Sequence, residues 1–388
     1  DVYKRQPLNK TFSLMAGTAI LVSAALGLTA CGGSAANAES AADKTKYQAA
    51  VSIDDFGGME GLEKAAKAEG QLNLIALPHD WSNWGGVIEA FKNKYPEITV
   101  NEQSPNASSK EEIDAIKTNA GTDKAPDTVD VGLAVAVDST QYFAAYETQG
   151  AAKIDPKLKN KDKLFTPDYT GVMSLGWNKT KYGDVKSIED LKDPKFAGVV
   201  SLNGKPAEAG AAFNGFIMAN LANGGDLQNL QPGLDFFKEL KSIGNLNTID
   251  VTSATIDSGQ TAAVFDWSYN QISTRDRLKG QGVDWSVIVF PGTEVGSYYQ
   301  QAINKEAPHP AAARLWQEFL YTPEAQNLWM KGGAMPVLME QMEKDGTIDA
   351  EAKATLIETS QPPLTYSPDD SARITSWLQQ NWDKAIGN

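Results

Sequence analysis

The stretch Leu72-Asn73-Leu74-Ile75-Ala76-Leu77-Pro78, followed by Val87, Ile88, Phe91 and Tyr95 and then by Ile98-Thr99-Val100-Asn101, decides how the chain folds. The first run is short and apolar, and it is stopped by a proline that cannot donate to a ladder, so it predicts a buried strand. Apolar residues at 87, 88, 91 and 95 fall on one face of a helix, with Pro96 as its stop. A second strand over 98–101 completes a βαβ unit, whose parallel strands require a right-handed crossover. Parallel strands covered by a helix belong to a layered α/β architecture.

The same alternation continues outward from this unit. Strands are predicted over 128–137, 171–178, 198–202, 261–267 and 285–290, with a return over 297–303. Helices are predicted over 209–222 and 231–243, the latter with Pro232 in its first turn and Gly244 at its stop. Three more close the chain. One starts at Pro310, one has Thr322 as N-cap and Pro323 behind it, and one starts at Ser367-Pro368 and carries Ile374, Trp377, Leu378 and Trp382 on one face. No fixed-period repeat is present, which argues against solenoids and propellers.

Composition narrows the function. The 388 residues include 35 Lys+Arg and 49 Asp+Glu, a formal net charge of −14, with one cysteine, two histidines and 41% hydrophobic residues. An acidic balance disfavours nucleic acid, whose phosphates need a basic footprint. One cysteine excludes an internal disulfide framework and a Cys-based metal cluster, and two histidines leave little room for a His-rich zinc site. No metal or other cofactor is expected.

The N-terminus predicts where the protein works. Lys4, Arg5 and Lys10 precede an uncharged apolar stretch over 12–28 that ends in Leu28-Thr29-Ala30-Cys31, the order of a secretory signal. The run is too short and too rich in small residues for a convincing membrane span. Leu-Thr-Ala-Cys resembles the lipobox of bacterial lipoproteins, which implies cleavage of residues 1–30 and lipidation of Cys31. Two or more acyl chains, each contributing about 0.8 kcal/mol per buried CH₂, would anchor the protein at a membrane face. The small and polar residues after Cys31 read as a flexible tether, assigned to 31–50. The chain opens on Asp1 rather than Met, so its first few residues are expected to be truncated or misread.

Gly70-Gln71-Leu72-Asn73-Leu74, the run from Ile188 through Asp193-Pro194-Lys195-Phe196-Ala197-Gly198, and Phe319-Leu320-Tyr321-Thr322-Pro323-Glu324-Ala325-Gln326 stand in an order that resembles the extracellular solute-binding proteins of ABC importers. The likeness is to the cluster serving iron, polyamines, thiamine and phosphonates, and it spans roughly residues 70–385. It implies a periplasmic-binding-protein-like type II fold with two lobes, hinge-crossing strands and a ligand cleft. It also implies a membrane permease as partner, an extracytoplasmic location and no catalysis. The lobes are expected at 51–172 plus 296–388 and at 173–295, in a monomer.

Loops that follow strands should face such a cleft, since in open α/β sheets ligands bind beyond the carboxyl ends of strands. The loop after the first strand offers Asp80, Trp81 and Asn83, with Asn83 or Ser82 as a helix cap. The loop at 134–140 offers Asp138. The loop at 203–214 offers Glu208 and Phe213, with Lys205 and a helix start that expose charge and N–H groups. Asp266-Trp267-Ser268-Tyr269 places a carboxylate between aromatics, which is what an organic cation needs. Tyr298 and Tyr299 lie on the return strand, where alternation sends one to the cleft, and Tyr298 is taken as that residue. Iron-binding members of the family use a tyrosine pair where this chain has Trp267-Ser268-Tyr269, which argues against ferric iron. A polyamine-like cation is therefore ranked first. Phosphonate or another oxyanion, thiamine and iron follow, and a secreted hydrolase with paired carboxylates is the alternative from another class.

Overall fold

The computed structural model describes residues 41–388 except 358, 362 and 388. The expected leader, Cys31 and the start of the tether lie outside the described residues. The 41–50 end of that tether is built into the fold: Ala41–Gln48 is a helix and Ala50 is buried. Arg314 is the reason. Its guanidinium, fully buried, donates to the carbonyls of Gln48, Ala50 and Pro310 at 2.8–3.0 Å.

The βαβ unit forms as read. Strand Gln71–Ile75 pairs in parallel with Thr99–Gln103 in the register Gln71↔Thr99, and helix Trp84–Lys94 joins them. Beside this pair stands a first sheet in which Tyr299–Asn304 is flanked antiparallel by Thr128–Gly132 on one side and by Phe143–Ala144 and Thr166–Pro167 on the other. A second sheet runs in the order Trp285–Ile288, Met173–Asn178, Ala263–Trp267, Val200–Leu202. Its last two strands are parallel and the others antiparallel. The chain passes between the sheets at three adjacent places. The Met173 N–H donates to the Val295 carbonyl at 2.8 Å, and Gly296 and Glu294 exchange hydrogen bonds with Leu364. These neighbouring segments form the hinge region.

The core beneath the first sheet is aromatic. Trp84, Trp316, Trp329, Tyr169 and Phe91 are all fully buried, with ring centroids 5.1–6.0 Å apart in mostly edge-to-face pairs. Helix Gly210–Ala222 is apolar on nearly every face and is buried against the second sheet and helix Gln231–Ser242. Helix Pro368–Ile386 places Trp382 against Phe216 and Phe237 of these helices and also packs on Leu133–Asp138.

Two elements differ from the reading above. The strand predicted over 128–137 ends at Gly132, and Leu133–Asp138 is a helix. A short apolar run has no periodicity to tell the two apart, and here helix packing chose. The segment 266–270 is no loop, because strand Ala263–Trp267 runs directly into helix Ser268–Lys279.

Candidate functional site

The parallel strands Gln71–Ile75 and Val200–Leu202 both end at one cleft of about 1000 Å³, and Tyr299 opens the return strand at its floor. Trp81, Asp130, Asn203, Asp266, Asn270 and Tyr299 line it. The two halves touch beside it. Gly132 ends a strand of the first sheet, Gly210 opens a helix on the second, and a Cβ on Gly132 would lie 3.0 Å from the Gly210 Cα. The Lys110 N–H donates to the Glu208 carbonyl at 3.2 Å, and Ser253 donates to Asp80 across the same gap.

Asp266 is 5% exposed and fully supplied with donors. Its Oδ1 accepts from the Trp267 N–H at 2.7 Å and the Asn270 amide at 3.1 Å, and its Oδ2 accepts from Asn203 at 2.9 Å and Asn270 at 3.2 Å. Burial pushes its carboxyl up to about 6, with those hydrogen bonds opposing and Asp80 reinforcing. No Lys, Arg or His among the described residues forms an ion pair with it.

An aromatic wall stands beside it. The Trp81 ring meets Tyr269 at 5.8 Å and Tyr299 at 5.9 Å, both edge-on, while Tyr169 stacks on Tyr299 at 5.7 Å. The indoles of Trp81 and Trp84 donate to the Tyr169 hydroxyl at 3.0 and 3.2 Å, and that hydroxyl donates to Asp130 Oδ2 at 2.9 Å. Trp267 donates to the Tyr299 hydroxyl at 3.3 Å. Burial holds the hydroxyls of Tyr169, Tyr269 and Tyr299 well above the usual phenol range, and the nearby carboxylates push the same way.

Of the residues singled out from sequence, Asp80, Trp81, Glu208 and Asp266 line the cleft. Trp267 and Tyr269 are buried behind it, stacked on each other at 6.2 Å. Asn83, at the helix N-cap position with φ 62°, makes no side-chain cap. Its amide donates to the Leu328 carbonyl at 2.8 Å and so ties two helices together. Asp138 is exposed at the end of Leu133–Asp138, a place the expected loop does not occupy. Phe213 is buried against the Tyr366 ring at 5.5 Å. Tyr299, not Tyr298, takes the cleft position. Alternation then turns Tyr298 away from the cleft, toward the Glu340 charge.

Sequence reasoning missed Asp130, Tyr169, Asn203 and Asn270. Asp130 carried a signal in its own strand: a carboxylate alternating with Val129 and Val131 in a run otherwise fit for burial. Tyr169 carried none, since its importance lies in three long-range hydrogen bonds.

Comparison with known proteins fits this geometry. No curated protein sequence matches the chain. Among solved structures, the periplasmic binding protein P5PA has a TM-score of 0.63 at 18% identity, covering 82% of this chain and 99% of its own. AfuA from Actinobacillus pleuropneumoniae, solved with fructose-6-phosphate, has a TM-score of 0.60 at 18% identity, covering 82% and 98%. Iron-bound HitA from Pseudomonas aeruginosa has a TM-score of 0.58 at 17% identity, covering 81% and 99%. At such identities the likeness establishes the fold: two lobes of the periplasmic-binding-protein type. The family model for bacterial extracellular solute-binding proteins matches residues 127–358, well over half of the chain, and with it come an extracytoplasmic location, a small-molecule ligand, an ABC permease as partner and a role in transport rather than catalysis. The chain belongs to the bacterial extracellular solute-binding protein family.

Proposed function

We propose that this solute-binding protein captures an organic cation of the polyamine kind in the cleft between its lobes and delivers it to the permease. The observation that carries the reading is Asp266, a carboxylate buried in the cleft beside aromatic side chains with no basic partner. A buried carboxylate without a counter-charge is costly, and an ammonium group from the solute removes that cost. Ring faces of Trp81 and Tyr299 add about 0.5–2 kcal/mol each to a desolvated cation. The further carboxylates Asp80, Asp130 and Glu208 around the same cleft support a ligand with more than one positive charge.

Ferric iron fits these residues less well, because it needs deprotonated phenolates and burial here favours the neutral phenols. An oxyanion has one feature in its favour: Lys205 and the start of helix Gly210–Ala222 line the cleft. Glu208 in the same turn and Asp266 nearby oppose it. For the rest of the chain we propose cleavage of 1–30, a lipid anchor on Cys31, a monomeric state, and lobes at 51–172 plus 296–388 and at 173–295. Within that division helix Pro368–Ile386 belongs to the first lobe, packing on Leu133–Asp138, and also reaches helix Gln231–Ser242 of the second.

A thermal-shift screen with spermidine, putrescine, choline, thiamine, methylphosphonate, glucose 6-phosphate and Fe³⁺ tests the reading. A ligand at a hundredfold excess over Kd stabilises by about 2.7 kcal/mol. Amines are expected to raise the melting temperature, and Asp266→Asn to abolish most of the shift. A shift with Fe³⁺ or methylphosphonate alone would sink the proposal.

A further inference from the structure

Asp266 has its hydrogen bonds filled; the carboxylate across the cleft does not. Asp130, on strand Thr128–Gly132, is 6% exposed and lines the cleft; its Oδ2 accepts the Tyr169 hydroxyl, while its Oδ1, shut off from solvent, has no N–H donor in good hydrogen-bond geometry. Two further carboxyls are buried with it: Glu112 from helix Ser109–Thr118, 1% exposed, and Asp168 from the segment before Tyr169, 0% exposed. Glu112 Oε2 accepts the Asp130 N–H at 2.9 Å. Asp168 accepts the Tyr169 N–H on Oδ1 at 2.6 Å and the Gln301 amide on Oδ2 at 3.0 Å.

We propose that Asp130 and Asp168 form a second cation subsite that holds a proton in the empty cleft and gives it up when the positive charge of a solute arrives, so that capture is an exchange of cation for proton. The proposal rests on the organic-cation reading given above. The groups facing Asp130 are Glu112 from its helix, Asp168 and Tyr169 from the crossing segment, Tyr299 and Gln301 from the return strand, Tyr269 from helix Ser268–Lys279, Tyr321 at the end of helix Pro310–Leu320, and the Trp84 indole. None is basic, and among the described residues no Lys, Arg or His pairs with any of the three carboxyls. Carboxylates this close and this dry cannot all ionise, so protons stay on the group. Burial carries Asp130 up to about 7 against the pull of its hydrogen bonds from Tyr169 and Asp168. Burial and the charge of Asp130 hold Asp168 well above the carboxylate range, and burial does the same for Glu112. An ammonium seated in the cleft against Asp130 makes the charged form the favoured one. The displaced proton goes to solvent, and no bond other than hydrogen bonds is made or broken.

Isothermal titration of the full mature chain with spermidine at pH 7, in phosphate and in Tris, reads the exchange directly. With Asp130 half-protonated, about half a proton should leave per ligand, so the apparent enthalpy differs between the two buffers. Affinity should also fall by up to tenfold per pH unit below 7, the limit for one coupled proton. Asp130→Asn is expected to erase the buffer dependence and flatten the pH profile while melting no lower than the parent. Binding with an enthalpy equal in both buffers overturns the exchange and leaves the cation reading standing. Absence of binding by any amine in the screen overturns both. A buffer dependence that survives in Asp130→Asn assigns the proton elsewhere and also refutes the proposal.

Discussion

Gly210→Ala is expected to weaken solute capture while leaving the empty protein as stable as before, because the substitution acts on only one of two states. Gly210 and Gly132 face each other at the junction of the lobes, and neither has a backbone conformation that requires glycine: Gly132 has φ −61° and Gly210 lies in an ordinary helical turn. What they permit is approach. A Cβ at 210 would stand 3.2 Å from the Gly132 Cα and 3.2 Å from the Tyr299 hydroxyl, inside the roughly 3.5–4.0 Å at which carbon contacts are comfortable. With the lobes together this overpacking costs about 1–3 kcal/mol. With the lobes apart it costs nothing, and alanine in a helix is better than glycine by roughly 0.5–1 kcal/mol. Since binding selects the joined state, the difference appears as a Kd raised about 5- to 150-fold. Calorimetry with spermidine gives the Kd, thermal melting the stability of the empty form, and small-angle scattering the extent of closure. Gly132→Ala, with its Cβ 3.0 Å from the Gly210 Cα, should act in the same direction and more strongly. An unchanged Kd in both variants, or a melt lowered as in a core mutant, would refute the idea that this contact is a stop for closure.

Other perturbations have clear signs. Asp266 is raised from its usual range to about 6, so the folded state binds the extra proton and stability falls as pH rises from about 4 to 6. Asp266→Asn should flatten that slope in urea melts run at pH 4.5 and 7.5, at the expense of solute binding. Trp84→Ala removes a fully buried ring that touches Tyr169, Trp316 and Trp329, and is expected to cost about 3–5 kcal/mol in chemical denaturation. Arg314→Met leaves the carbonyls of Gln48 and Ala50 without their donor. Limited proteolysis should then cut within 41–50 faster than in the parent, with a loss of about 1–3 kcal/mol in overall stability.

The parts of this architecture that the sequence announces are those set by local rules. Pro78, Pro96, Pro323 and Thr322 mark element boundaries because a missing N–H or a capping hydroxyl acts within one turn, and Thr322 does accept from the Ala325 N–H at 3.3 Å. The cleft was legible just after or at the very end of an apolar strand, as at Asp80 and Trp81 beyond Gln71–Ile75 and at Asp266 near the end of Ala263–Trp267. It was not legible where long-range pairing decides. Tyr299 rather than Tyr298 reaches the cleft because the return strand pairs as Tyr299↔Gly132 and Gln301↔Asp130, and a one-residue slip would exchange the two faces. Asn83 looked like a cap, yet its partner is a carbonyl 245 residues away. Asp138 was misplaced because its helix owes its existence to packing and not to its own pattern.

Burial of a carboxyl without a basic partner and contact with the cleft coincide at Asp130 and Asp266. Asp130 Oδ1 and Tyr269 Oη are buried polar atoms with no N–H donor among the described residues, and both side chains adjoin Tyr169. Each such atom costs about 1–3 kcal/mol in a folded protein. Three carboxyls without a basic neighbour add to that cost, and an apolar or properly paired core could have avoided it. A solute that brings positive charge into the cleft offsets the cost of those carboxyls. An ammonium group lodged in the cleft between Asp130 and Asp266 supplies a positive charge to both, whereas a phosphate would set negative charge against both.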